Sequence, residues 1–124
     1  MQWYGAHLIK YLKYKDNIQN GYVIYENIVL VSAETPGEAL LEAEKYGKSE
    51  EVDTTIGPND RPAEWIFAGV RYVMPCSNVN ELSETSLVHG TKITSRFLQV
   101  ESEADIEKLV EEEEVKVKLL GFDS

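Results

Sequence analysis

A chain of 124 residues with 43% hydrophobic side chains can bury one core, so residues 1–124 are expected to form a single domain without help from disulfides or metals. Its formal charge of −10 disfavours phosphate backbones, which argues against nucleic acid and makes a basic protein the easier partner to accommodate. Cys76 is the sole cysteine, no Cys/His cluster has zinc-ligand spacing, and no apolar run approaches the roughly 20 residues of a membrane span. Met1-Gln2-Trp3-Tyr4 lacks the opening of a signal peptide, so a reduced, cytoplasmic setting is expected.

In chain order, Trp3 to Lys15 is rich in aromatic, β-branched and aliphatic residues and reads as a strand. Asn20-Gly21 marks a hairpin turn, and Tyr22 to Ala33 forms the second strand. The nearly apolar run from Asn27 to Val31 predicts a central position covered on both faces. Thr35-Pro36-Gly37-Glu38 then opens a helix, with threonine as N-cap, proline in the first turn and Glu38 in the capping-box position. Ala39, Leu40, Ala43 and Tyr46 form its expected buried stripe, and Gly47 its expected stop.

Glu50 to Arg61 reads as an acidic connection, Ala63 to Met74 as the third strand and Thr91 to Val100 as the fourth. The segment from Cys76 to Gly90 between them has the composition of a mobile loop. Ser102 caps a second helix with Ile106, Leu109 and Val110 inward, and the crowded acids Glu111 to Glu114 predict its end near Val110. Val115 to Leu119 alternates and carries lysines, as a protected edge strand would.

The expected class is therefore α+β: a largely antiparallel sheet with two helices, in the order β-β-α-β-β-α-β. Without its first strand this order is the split βαββαβ pattern of ferredoxin-like folds, while the strand order within the sheet stays open. Acidity concentrates in two blocks, 34–64 and 101–124, each with nine acidic against three basic side chains. If both helices cover one face, that face presents the acidic blocks and the opposite face carries Trp, Tyr, His and Arg.

The candidate binding residues are Trp3, His7, Glu26, Arg61, Trp65 and Arg71. Alternation puts Trp3, His7 and Tyr11 on one face of the first strand. It likewise groups Trp65, Phe67, Gly69 and Arg71, leaving Ile66, Ala68, Val70 and Tyr72 to face the core. Where the two mixed faces coincide, an aromatic floor would carry His7 and Arg71 near Glu26, and arginine offers a planar fork for a carboxylate or phosphate. Each residue also has a plain structural reading. Trp65 serves as a packing anchor, His7 as a hydrogen-bonded packing residue, and Arg71 as the partner of an acid on a neighbouring strand. Gly69 marks a bulge or a tight crossing, Arg61-Pro62 a rigid strand entry, and Glu26 an ion pair to Lys13 or Lys15.

No catalytic constellation accompanies them. Cys76 and His89 are thirteen residues apart with nothing to orient them, no glycine loop cradles a phosphate, and Glu111 to Glu114 project in different directions. No catalytic residue is assigned, and no cofactor or metal is expected.

The segments from Trp3 to Ile9, from Glu26 to Leu30 and from Trp65 to Arg71 together resemble a family of short bacterial proteins known as a domain of unknown function, numbered 4288. The spacing to Glu38-Ala39, Gly47-Lys48 and Arg61-Pro62 fits as well, while Gly5 stands where that family leads one to expect alanine. The resemblance implies a compact bacterial domain and brings no activity, cofactor or catalytic residue.

The leading functional expectation is a non-enzymatic protein-interaction or binding module, of which an immunity-type neutraliser of a basic toxin is one concrete form. The alternative is a small-molecule or enzymatic site on the aromatic/arginine face, and homo-oligomerisation through that face is a third reading.

Overall fold

The computed structural model describes residues 2–76 and 89–123. Its class is α+β, a six-stranded antiparallel sheet with two helices. Strands β1 (Gln2–Tyr14) and β2 (Tyr22–Ala33) form the central hairpin. Helix α1 (Pro36–Ser49) follows, then β3 (Val52–Ile56), β4 (Pro62–Pro75), β5 (Lys92–Val100), α2 (Glu103–Val110) and β6 (Lys118–Asp123). The sheet runs β3-β4-β1-β2-β5-β6. The central position expected for Asn27 to Val31 is borne out, since β2 has strands on both sides. The expected cover is one-sided, however: Val29 and Val31 pack in the cluster with α1, whereas Ile28 lines an open cleft on the other face.

Local chemistry accounts for most boundaries. The Thr35 side chain accepts a hydrogen bond from Glu38 N at 3.1 Å with Pro36 in the first turn of α1, and Ser102 accepts one from Asp105 N at 3.3 Å to start α2. Helix α2 ends at Val110, as the acid run behind it predicts. Three boundaries differ from expectation. The acidic connection holds a short edge strand, β3, which pairs with the entrance of β4. The alternating Val115-Lys116-Val117 segment precedes the strand instead of forming it, and β6 begins at Lys118, still at the edge of the sheet. Gly47 does not stop α1 but lies inside it, where a Cβ would collide with the Phe67 ring. Its missing side chain lets the helix approach β4 closely. Leu40 is exposed, and the buried stripe is Ala39, Ala43 and Gly47, with Tyr46 packed beside it.

The helices do not share a face. Ala39 and Ala43 of α1 pack with Tyr4, Ala6, Leu8, Val29 and Val31, whereas Ile106 and Leu109 of α2 pack with Ile9, Ile24, Leu98 and Val100. Leu8 and Ile9 are consecutive on one strand, and consecutive side chains point to opposite sides of a sheet. The one-sided, ferredoxin-like layering is therefore replaced by a sheet with one helix on each face. Helix α2, at eight residues, covers only part of its face. The loop expected to be mobile, from Cys76 to Gly90, lies for the most part outside the described residues.

Candidate functional site

Four strands meet around Glu26 on the face that carries α2. Glu26 sits on β2 directly opposite Ile9 of β1 and Arg96 of β5. Its side chain is 2% exposed, and its carboxylate is surrounded by guanidinium and imidazole groups. Arg96 Nε donates to Oε1 at 2.6 Å, Arg71 Nη1 donates to Oε2 at 3.4 Å, and His7 Nδ1 lies 3.6 Å from Oε2. The His7 approach is too long for a hydrogen bond, so Nδ1 is left without a hydrogen-bond partner, as is the buried Arg71 Nε. His7 also stacks on Tyr72, ring centroids 4.0 Å apart.

Burial by itself would raise the Glu26 pKa. The His7 imidazole and the Arg96 guanidinium overturn that effect and hold the carboxyl at about 2, against an ordinary 4.5. Two arginines against one carboxylate leave a surplus positive charge here, inside a chain whose net charge is −10. Beside the cluster opens a cleft of about 290 Å³, lined by His7, Ile28, Tyr72, Thr94, Arg96 and Phe122 with Glu26 at its base. Phe122, on β6, is 70% exposed.

The position of Arg71 depends on irregularities in β4. Tyr72 pairs with His7 but Val70 with Leu8, so Arg71 is an extra residue; likewise Gly69 pairs with Ile9 but Phe67 with Lys10, which makes Ala68 extra. Such bulges re-aim side chains. Strict alternation, which groups Trp65, Phe67, Gly69 and Arg71, is broken by them. Trp65 and Phe67 face α1, and Arg71 and Tyr72 face the Glu26 cluster. The Gly69 φ of +152° and its place 2.8 Å (measured from a Cβ) from Val110 fit both structural readings of that glycine, a bulge and a close crossing.

Three of the six sequence candidates, His7, Glu26 and Arg71, come together. Trp3 shares their face but is buried and does not line the cleft. Trp65 lies on the opposite face, edge-on to Tyr25 with Lys10 Nζ 5.5 Å from its ring centroid. Arg61 is a pin for the turns: it pairs with Asp16 at 2.7 Å, donates to Ile18 O and stacks 3.7 Å from the Tyr14 ring centroid. Lys13 and Lys15, the expected partners of Glu26, contact Glu103 and Thr54 instead. Arg96, the shortest contact of Glu26, is absent from the sequence candidates. Its signal was a lone arginine within a strand whose neighbour carries a lone glutamate, legible only once β5 is known to lie beside β2.

The Cys76 thiol is pushed up by burial, away from the reactive thiolate, and His89 accepts from Ser32 N at 3.1 Å. Among the described residues no group of three His, Cys, Asp or Glu side chains could hold a metal ion, and no helix is long and apolar enough to cross a membrane.

Neither a curated protein nor a solved structure matches this chain. A family model does match over residues 3–95, a span that contains His7, Glu26, Arg71 and Tyr72 and stops one residue short of Arg96. With three quarters of its length covered, the chain belongs to the family described as domain of unknown function DUF4288.

Proposed function

We propose that this protein is a cytoplasmic, non-enzymatic binding module whose contact surface is the cleft based on Glu26. The observation that carries the reading is the commitment of that carboxylate. Held at about 2, it is a poor proton acceptor near neutral pH, and its hydrogen bonds go to orienting guanidinium groups. Its role is to fix two arginines and a histidine in place, which pre-organises a cationic surface at little further entropic cost on binding.

Capture from native host lysate with wild type and Arg96→Ala as parallel baits tests this. A bound species retained by wild type and lost by a folded Arg96→Ala variant is the expected result. Equal capture by both baits counts against the cleft.

A second reading is favoured by one observation. The Glu111 carboxyl is pushed up by the hydrogen bond and negative charge of Glu113, so negative charge is crowded beyond the end of α2. A basic protein partner, of the immunity type, would relieve that crowding. Its capture would be shed at high salt and abolished by changing Glu111 to Glu114 to Gln, while Arg96→Ala would leave it unchanged.

A further inference from the structure

Resting on the binding-module reading, we infer that the cleft receives a single carboxylate attached to a flat apolar body. Donor capacity comes first. Arg96 lines the cleft, is 39% exposed and spends only Nε on Glu26, which leaves its terminal guanidinium nitrogens to form a fork for a second carboxylate. The Thr94 hydroxyl group stands on the same lining, one outward-facing position along β5.

Charge decides between anions. Arg71 and Arg96 against Glu26 leave one surplus positive charge, which a monoanion neutralises and a dianion exceeds. The −10 charge of the whole chain adds a long-range penalty that grows with ligand charge, so phosphate is disfavoured relative to carboxylate.

The walls select the rest of the ligand. Tyr72 is held flat by its stack on His7, Phe122 is largely exposed at the cleft, and Ile28 supplies an aliphatic surface. Aromatic faces that carry so much exposed apolar area favour a ring or similar flat group between them. At about 290 Å³ the cleft is at the small end of ligand sites and suits a body of about one ring.

The test is titration of the full chain, followed by NMR of the backbone amides and arginine side chains. The probes are benzoate, acetate, benzamide and inorganic phosphate. Benzoate is expected to shift His7, Tyr72, Thr94 and Arg96 saturably, with acetate weaker and benzamide inert. Arg96→Lys keeps the charge but removes the fork, and is expected to weaken benzoate about tenfold. Phe122→Ala, a surface change that leaves the Glu26 contacts intact, is expected to weaken benzoate and leave acetate unaffected.

Saturation by phosphate with no response to benzoate would overturn the ligand class and leave the binding-module reading standing. Silence from every anion would overturn this inference, and the lysate comparison with Arg96→Ala would then judge the module reading by itself. A short peptide ending in phenylalanine separates the two sources of such a group. Displacement of benzoate by its free acid but not its amide points to a protein C-terminus, and no displacement points to a free acid.

Discussion

At the scale of single residues the chemistry centres on Glu26. A carboxylate that is 2% exposed persists as an anion only because guanidinium groups replace the water it has lost. Glu26→Gln removes the carboxylate and leaves two partly exposed guanidinium groups unmatched, at an expected cost of about 2 kcal/mol in urea denaturation at neutral pH. The pH dependence has a definite sign. The folded carboxyl at about 2 lies below its ordinary 4.5, so its contribution is complete above about 4.5 and fades as pH falls toward 2. Unfolding curves collected across that window should show wild type losing more stability on acidification than Glu26→Gln does. A parallel acid limb in the two proteins would remove Glu26 from the account. His7, Glu26 and Arg71 stood out in the sequence because polar side chains interrupt apolar strands there. Arg96 did not, because its meaning depends on which strand lies beside β2, and pairing between distant segments leaves no local mark.

Among the elements, β4 decides the arrangement. The extra residue Ala68 shifts the alternation between Trp65 and Arg71, so the two part company although their spacing is even, and the second extra residue, Arg71 itself, restores the alternation from Tyr72 onward. Gly69, between those bulges, combines a positive φ with the close approach of Val110. Gly69→Ala should therefore destabilise the fold by about 2 kcal/mol, through backbone strain and overpacking together. Adding Val110→Ala should recover the packing part but not the backbone part, and a thermal-unfolding double-mutant cycle would separate them. Additive losses in that cycle would mean the Val110 contact carries no energy. Capping is simpler: Thr35→Ala removes the acceptor for Glu38 N and should cost about 1 kcal/mol in the same measurement. Both caps and the β1–β2 hairpin were legible because capping and turn chemistry reside in contiguous residues. The bulges were not, since a bulge is defined by the partner strand as much as by its own sequence.

Across the whole molecule, net charge and the buried cluster respond differently to salt. The charge of −10 destabilises the compact state by self-repulsion over distances that ions screen, and the Debye length shrinks from about 30 Å at about 0.01 M to about 8 Å at about 0.15 M. Wild-type stability should rise over that range, while the cost of Glu26→Gln changes less because the carboxylate itself is buried and its closest contacts are much shorter than the screening length. Urea midpoints for both proteins at the two ionic strengths would check this, and a Glu26→Gln cost that collapses with salt would show the cluster to be solvent-screened.

The amino-acid sequence by itself determined the class, the element order apart from the short β3, both helix starts and three members of the charged cluster, His7, Glu26 and Arg71. Each of these follows from periodicity, capping or composition within a short stretch of chain. Tertiary structure decided the rest: one helix on each face, Trp65 turned away from the site, and Arg96 brought onto Glu26. These outcomes depend on strand neighbours and on register, which are fixed by packing between segments as far apart as residues 26 and 96 and cannot be read from either segment alone.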